Sequence, residues 1–308
     1  MWSTTFGPAT DGDRPATVRR PPGDRPPTAR RPRGGGPALP AIGLAAILLP
    51  VEAQADTQRA RLFDSVASRY DRVRPGYPEA LFDRVLGPRP DGLSVLDVAC
   101  GTGLAARPMA RRGASVLGVE LNPAMAALAA HHGILTEVAA FEDWDPRGRT
   151  FDRLTCAQAW HWLRPGLRVD KAVSLLAVGG RLCLFWNLGS YPPDLAEAVA
   201  ATYRRVVPPG ATMPVAGNAT NPELDFAAAV AAELDADGRL APAGTSSFPW
   251  TRWYKTAEWL DELATHSDHL ALPAEVRGRL FDGVGRTIDD LGGGFPMAYV
   301  TVLIEASR

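Results

Sequence analysis

Val95-Leu96-Asp97-Val98-Ala99-Cys100-Gly101-Thr102-Gly103 reads as an apolar strand that runs straight into a glycine turn opening a helix. Gly101 and Gly103 let the backbone turn sharply and let a ligand approach where a Cβ would stand in the way. A glycine pair serves any tight strand-to-helix turn, so two further residues carry the reading. Glu120 closes the next expected strand, where a carboxylate can accept two hydrogen bonds from ribose hydroxyls. Asp97 precedes the turn, near where a cationic or amine-bearing ligand would lie.

Outward from this stretch the apolar pattern predicts strands over Ser94–Ala99, Ser115–Glu120, Ile134–Val138, Phe151–Cys156 and Gly180–Trp186. Helices are expected over Arg59–Tyr70, Glu79–Leu86, Leu104–Arg112, Pro123–His131 and about Leu167–Leu176. Short apolar strands separated by helices point to a parallel sheet covered on both faces. Beyond Trp186, helices over about Leu195–Val206 and Pro222–Leu234 are expected to form a cap inserted at about 190–245. A strand near Phe248–Tyr254, a helix capped by Thr256, a helix over Pro273–Leu291 and a final strand over Ala298–Glu305 complete the domain. The expected architecture is one doubly wound α/β domain with a helical cap, over residues 56–308.

Residues 1–55 differ from the rest. The first forty are crowded with Pro, Gly and Arg, bury too little apolar surface to offset their ordering entropy, and are expected to be disordered. An apolar run from Ala38 to Val51 ahead of Ala53-Gln54-Ala55 has the layout of a secretory signal, but Pro40, Gly43 and Pro50 interrupt it. That run is also too short to span a bilayer.

Those first forty residues hold seven Arg against three Asp, while the whole chain carries a net charge of −1, so the folded part is mildly acidic. A chain balanced in this way has no field to draw it onto nucleic acid or an anionic membrane. Cys100, Cys156 and Cys183 lie far apart with no CxxC pair, which excludes a disulfide scaffold and a thiolate metal site and fits a reducing cytoplasm. Oligomeric state is not legible.

The turn separates two cofactors. A dinucleotide site wants G-x-G-x-x-G with a helix N-terminus aimed at pyrophosphate. Ala106 in the third position is tolerable, but Asp97 would repel a pyrophosphate. S-adenosylmethionine carries a sulfonium and an ammonium and no phosphate, so the same Asp97 becomes favourable. With no GxxxxGK[ST] in the chain, a nucleotide triphosphatase is disfavoured.

On these residues the sequence resembles the class I S-adenosylmethionine-dependent methyltransferases. Asp97–Gly103 is similar to the family's D-x-A/G-x-G-x-G motif, and Val119-Glu120-Leu121-Asn122-Pro123 to its ribose-binding carboxylate and helix start. Tyr70-Asp71-Arg72-Val73-Arg74-Pro75-Gly76-Tyr77-Pro78 and Gln158-Ala159-Trp160-His161-Trp162 resemble a small-molecule subgroup that includes the trans-aconitate methyltransferase-like proteins. The likeness covers about residues 59–188 well and 253–308 loosely. It implies a Rossmann-like, mostly parallel seven-stranded sheet whose last strand is antiparallel.

Carried over, the resemblance implies that Ala99, Gly101 and Gly103 line the methionine part of the cofactor, with Asp97 near its amino group. Glu120 would hold the ribose and Leu121 would pack on the adenine. Asp143 would take the adenine amino group, with Glu142 its rival by one position. Gln158 would touch the cofactor from the end of the fourth strand, while Tyr70 and Arg74 close over it and Arg74 pairs the methionine carboxylate.

His161 follows the fourth strand, where an imidazole could take a proton from a hydroxyl or carbon acid, or simply pack between Trp160 and Trp162. Cys100 reads as a small core side chain, and His131-His132 as a solvated helix end. His266-Ser267-Asp268-His269 has ligand-like spacing but reads as polar surface, and no metal is expected. Trp250, Trp253, Tyr254 and Trp259 either shape an acceptor pocket or belong to the core.

The expected function is methyl transfer to a small-molecule acceptor. Three other readings stay open at this point: a nucleic-acid methyltransferase, a nicotinamide oxidoreductase, and a cofactor-binding protein without methyl transfer.

Overall fold

A computed structural model describes residues 66–208 and 222–308. The expected tail over 1–55 and the start of the helix expected from Arg59 lie outside the described residues.

The chain enters through helices α1 (Ala67–Val73) and α2 (Glu79–Leu86) and then alternates strand and helix. The order is β1 (Ser94–Val98), α3 (Ala106–Arg111), β2 (Ser115–Glu120), α4 (Pro123–His131), β3 (Leu135–Val138), β4 (Phe151–Ala157), α5 (Arg168–Leu175) and β5 (Leu176–Ser190). Then come α6 (Pro193–Val206), α7 (Pro222–Asp235), β6 (Gly244–Lys255), α8 (Thr256–Leu263), α9 (Ser267–Leu270), α10 (Ala274–Asp290) and β7 (Gly294–Ser307). None of the described helices is long and apolar enough to cross a membrane.

The seven strands form one sheet in the order β3-β2-β1-β4-β5-β7-β6. The strands β1 to β5 run parallel to their neighbours, and β7 lies antiparallel between β5 and β6. From β1 the chain winds outward to β2 and β3, then returns past β1 to β4 and winds the other way. The reversal leaves a crevice outside the carboxyl ends of β1 and β4, where open α/β sheets hold their ligands.

Alternation along the strands gives two apolar faces. Val95, Cys183 and Phe185 face α2 and α3, meeting Leu81, Phe82, Val85 and Met109. Leu96, Val98, Leu154, Leu182 and Leu184 face the other way, onto Val169 and Val173 of α5 and Phe226, Val230 and Leu234 of α7. Of the two helices expected in the cap, α7 therefore lies on the sheet. By contrast α6 joins α8 and α10 in a separate cluster built on Leu195, Val199, Tyr203, Trp259, Leu263, Leu280 and Val284.

The last three strands, β5, β6 and β7, run longer than expected, and the start of α8 is built differently. β5 runs over Leu176–Ser190 rather than Gly180–Trp186, because ten consecutive residues of it, Arg181 to Ser190, pair with β7 and carry the strand through polar and glycine positions. Thr256 does not cap α8: its hydroxyl donates to Asp289 Oδ1 at 2.5 Å, and Glu258 Oε2 accepts the Lys255 N–H at 3.0 Å instead. Pro249 sits in β6, at the sheet edge, where a missing N–H costs little.

Candidate functional site

The site is built where β1 and β4 end. Ala99 and Gln158, one at each strand end, both take left-handed backbone conformations, with φ of 52° and 59°. Non-glycine residues seldom do so, and such strain collects at functional sites. Gly101 (φ 57°) and Gly103 (φ 83°) complete the turn between β1 and α3 with the conformational freedom the motif anticipates.

Glu120 is locked beneath this turn. Its Oε2 accepts the Gly101 N–H at 2.9 Å and its Oε1 accepts the Asn122 N–H at 2.8 Å. Burial pushes this carboxyl up, and the backbone donors oppose the shift. Asn122 then caps α4, its Oδ1 accepting the Met125 N–H at 2.9 Å, with Pro123 at the first helical position.

Asp97 is wholly buried. Its Oδ1 accepts the Thr155 hydroxyl at 2.7 Å, while its Oδ2 has no hydrogen-bond partner. Burial pushes the carboxyl up to about 7; the Thr155 hydrogen bond opposes the shift and the nearby Glu120 charge adds to it. An orphaned buried carboxylate oxygen is costly unless a cationic donor meets it. A ligand ammonium fits that requirement, and a pyrophosphate does not.

A cavity of about 290 Å³ opens over these elements. Tyr70, Ala99, Gly101, Glu120, Leu121, Glu142, Asp143 and Gln158, all singled out from the sequence, line it. Arg74, Asp97, Gly103 and His161 do not. Asp97 is buried on β1 two residues before the lining Ala99, and Gly103 follows the lining Gly101 by two. Arg74 donates through Nε and Nη2 to the hydroxyl and carbonyl of Thr265, at 2.8 and 3.0 Å, with its guanidinium over the Tyr70 ring. The His161 ring lies 4.9 Å from that of Trp162, which does line the cavity, and 6.4 Å from Phe226.

Glu142 and Asp143 occupy a single 3-10 turn and are not equivalent. The Glu142 side chain is 8% exposed and accepts the Arg164 N–H at 2.6 Å, whereas Asp143 is 74% exposed and pairs with the Arg164 guanidinium at 2.8 Å. Met125, Trp162 and Arg164 also line the cavity and were missed. Trp162 was legible as the neighbour of His161, but nothing in the local sequence ties Arg164 to residues more than twenty positions earlier.

Helix α1 is fastened over this edge from both sides. Asp71 accepts from Arg107 Nη2 at 2.9 Å and lies 2.7 Å from His132 Nε2, so His132, exposed at the end of α4 as expected, also anchors α1. On the far side, the Arg252 guanidinium donates to Val73 O at 3.1 Å and Asn187 Nδ2 to Gly76 O at 2.8 Å.

The His266–His269 turn is not polar surface. His269 is fully buried, with Nδ1 2.8 Å from Asp268 Oδ1 and Nε2 2.7 Å from the Tyr203 hydroxyl. The ligand atoms of His266, Asp268 and His269 gather within 4.8 Å. Both ring nitrogens of His269 are already engaged, however, and its bond to Tyr203 pins α9 to α6. Of the aromatic group, Tyr254 and Trp259 are core, Trp250 stacks on Tyr299 at 4.5 Å, and Trp253 is exposed. Cys100, Cys156 and Cys183 are free and buried, and burial pushes each thiol well above its ordinary value.

A family model described as a methyltransferase domain matches residues 95–180. An uncharacterised methyltransferase of Mycobacterium tuberculosis is 26% identical over 257 residues, 80% of this chain and 95% of that protein. A ubiquinone biosynthesis O-methyltransferase of Hahella chejuensis is 28% identical over 226 residues, 69% of this chain and 82% of that protein. Among solved structures, a candidate type II methyltransferase from Anaeromyxobacter dehalogenans shares the fold. It has a TM-score of 0.52 at 20% identity, covering 76% of this chain and 97% of that one.

Proposed function

Given that the chain belongs to the class I S-adenosylmethionine-dependent methyltransferases and uses that cofactor, we propose that it methylates a small-molecule acceptor at oxygen or carbon. The family replaces the nicotinamide reading, in agreement with the buried Asp97. One observation carries the small-molecule reading. Among the described residues, helix α1 and the turn after it are tied down over the carboxyl edge through Asp71, Val73, Arg74 and Gly76, which narrows the approach to the cavity and favours a small acceptor. The O-methyltransferase named among the relatives supports oxygen as the accepting atom.

When bound, the cofactor supplies a methyl carbon already activated by its sulfonium. The residues then have to hold and align. In this reading Asp97 Oδ2 meets the ammonium, and Glu120, held by the backbone N–H groups of Gly101 and Asn122, takes the ribose hydroxyls. Glu142 or Asp143 takes the adenine amino group, with Leu121 against the ring. Tyr70 and Gln158 flank the reacting end and exclude water, where most of the acceleration by alignment arises. His161, beside Trp162, takes the proton when the acceptor is a hydroxyl; a carboxylate acceptor needs no base.

Incubation with methyl-tritiated cofactor and a cell extract tests the proposal. Label is expected in the small-solute fraction; label confined to RNA or protein would overturn it. For a hydroxyl acceptor, His161→Gln is expected to lower kcat by about a hundredfold with cofactor affinity unchanged. An unchanged kcat would leave His161 as packing behind Trp162.

A further inference from the structure

We propose that Thr155 is a positioning residue for the cofactor: its hydroxyl holds Oδ1 of Asp97 and leaves Oδ2 as the oxygen that receives the cofactor ammonium. The proposal rests on the reading above, in which Asp97 meets the amino group.

Thr155 and Asp97 are register partners on neighbouring parallel strands, β4 and β1. Partners in register place their side chains on the same face of the sheet, and both of these are wholly buried. The Thr155 Oγ1 lies 2.7 Å from Asp97 Oδ1 and 3.4 Å from Leu96 O. A hydroxyl has one proton to donate, and a carboxylate at the shorter distance takes it. Threonine is also stiff at χ1, so the hydroxyl holds its direction without help. Among the described residues it is the one hydrogen-bond donor to this carboxyl, and the opposite oxygen has none.

A carboxyl gripped at one oxygen cannot swing, and an ungripped one can turn its charge away from the turn. Valine has almost the same shape as threonine and lacks the donor, which makes the hydroxyl separable from the packing. The other titratable groups around Asp97 are Glu120 on β2, Cys100 in the turn, Cys156 on β4 and Tyr77 ahead of α2. The two thiols and the phenol stay protonated, each held above its ordinary value by burial. Of the protein groups, Asp97 is the one the variants alter; Glu120, pushed up by burial, and the cofactor's own α-amino group are common to all of them.

The test is calorimetric titration of S-adenosylmethionine into the full chain from pH 6 to pH 9, for the unmodified protein, Thr155→Val, Thr155→Ser and Asp97→Asn. Thr155→Val is expected to bind about tenfold more weakly at pH 7.5. The pH at which its affinity levels off is expected to move upward, because the anionic carboxylate has lost its only side-chain donor. Thr155→Ser should restore both the affinity and the profile. An unchanged profile in Thr155→Val, or a loss in Thr155→Ser as large as in Thr155→Val, overturns the proposal. If Thr155→Val melts below the assay temperature, Thr155→Ala supplies a second hydroxyl-free variant, judged by the same pH profile. Asp97→Asn separates the two levels. If it binds as tightly as the unmodified chain, the reading of Asp97 itself fails; if it binds weakly while Thr155→Val does not, only the positioning role fails.

Discussion

Asp97 pulls stability and binding in opposite directions. Its carboxyl titrates at about 7 in the folded chain against an ordinary 3.8, so folding favours its neutral form. That contribution is fully present below the ordinary value and is lost as pH rises through about 7. The ligand-free protein is therefore expected to melt at lower temperature at pH 8 than at pH 5.5. Asp97→Asn should remove that part of the decline, raising the melting temperature at pH 8 while weakening S-adenosylmethionine binding at least tenfold. Scanning fluorimetry with and without cofactor checks both. A variant that is less stable at pH 8 and binds normally would show that the buried charge has found another partner.

Close packing under the same turn sets a second expectation. A Cβ added at Gly118 would stand 2.5 Å from the Cys100 sulfur. Gly118→Ala is expected to cost about 1–3 kcal/mol, and Cys100→Ala in the same chain to recover part of it, read from denaturant midpoints. At this scale the sequence was legible wherever a motif fixes spacing, as for Asp97, Glu120 and the glycine turn. It put Asp143 ahead of Glu142 with no view of their difference in burial, which depends on Arg164, brought by the fold from beyond β4.

Among the elements, α1 closes the edge of the cavity with few apolar contacts to hold it there. Only Ala67 and Val73 of its residues are buried, so polar bonds hold it. For Asp71, burial pushes the carboxyl up, but the bond from His132 and the Arg107 charge outweigh it and leave it below its ordinary value. Asp71→Asn is expected to raise the KM for cofactor roughly three- to tenfold with little change in kcat, and to speed amide exchange in Ala67–Val73. A fall in kcat at constant KM would place α1 in the chemical step instead. The alternation of strand and helix up to β5 was readable because each element declares its own period. The seat of α7 on the sheet was not, since its apolar residues look alike whether they meet a strand face or a cap. His269 was misread for a similar reason: its partner Tyr203 sits on another helix.

At the level of the whole molecule, one sheet carries everything. β5 and β7 pair continuously from Arg181 and Ser307 to Ser190 and Ala298, passing from the core beside α7 to the cluster under α6 and α10. No seam divides the cofactor end from the helical end. Thermal unfolding of the described part is expected to be a single transition, with far-ultraviolet dichroism and tryptophan fluorescence coincident; two separated transitions would mean that the helical cluster melts alone.

The three sealed thiols turn this cooperativity into something that can be timed. Cys100 lies in the turn below the cofactor cavity, Cys156 near the end of β4 and Cys183 within β5. A thiol kept protonated and out of solvent does not react with a disulfide reagent until the structure around it opens. Labelling therefore works as a clock with three hands: the two sheet thiols mark the rate at which the whole molecule comes apart, and Cys100 marks the opening of the turn alone. Saturating cofactor should slow the third hand relative to the other two.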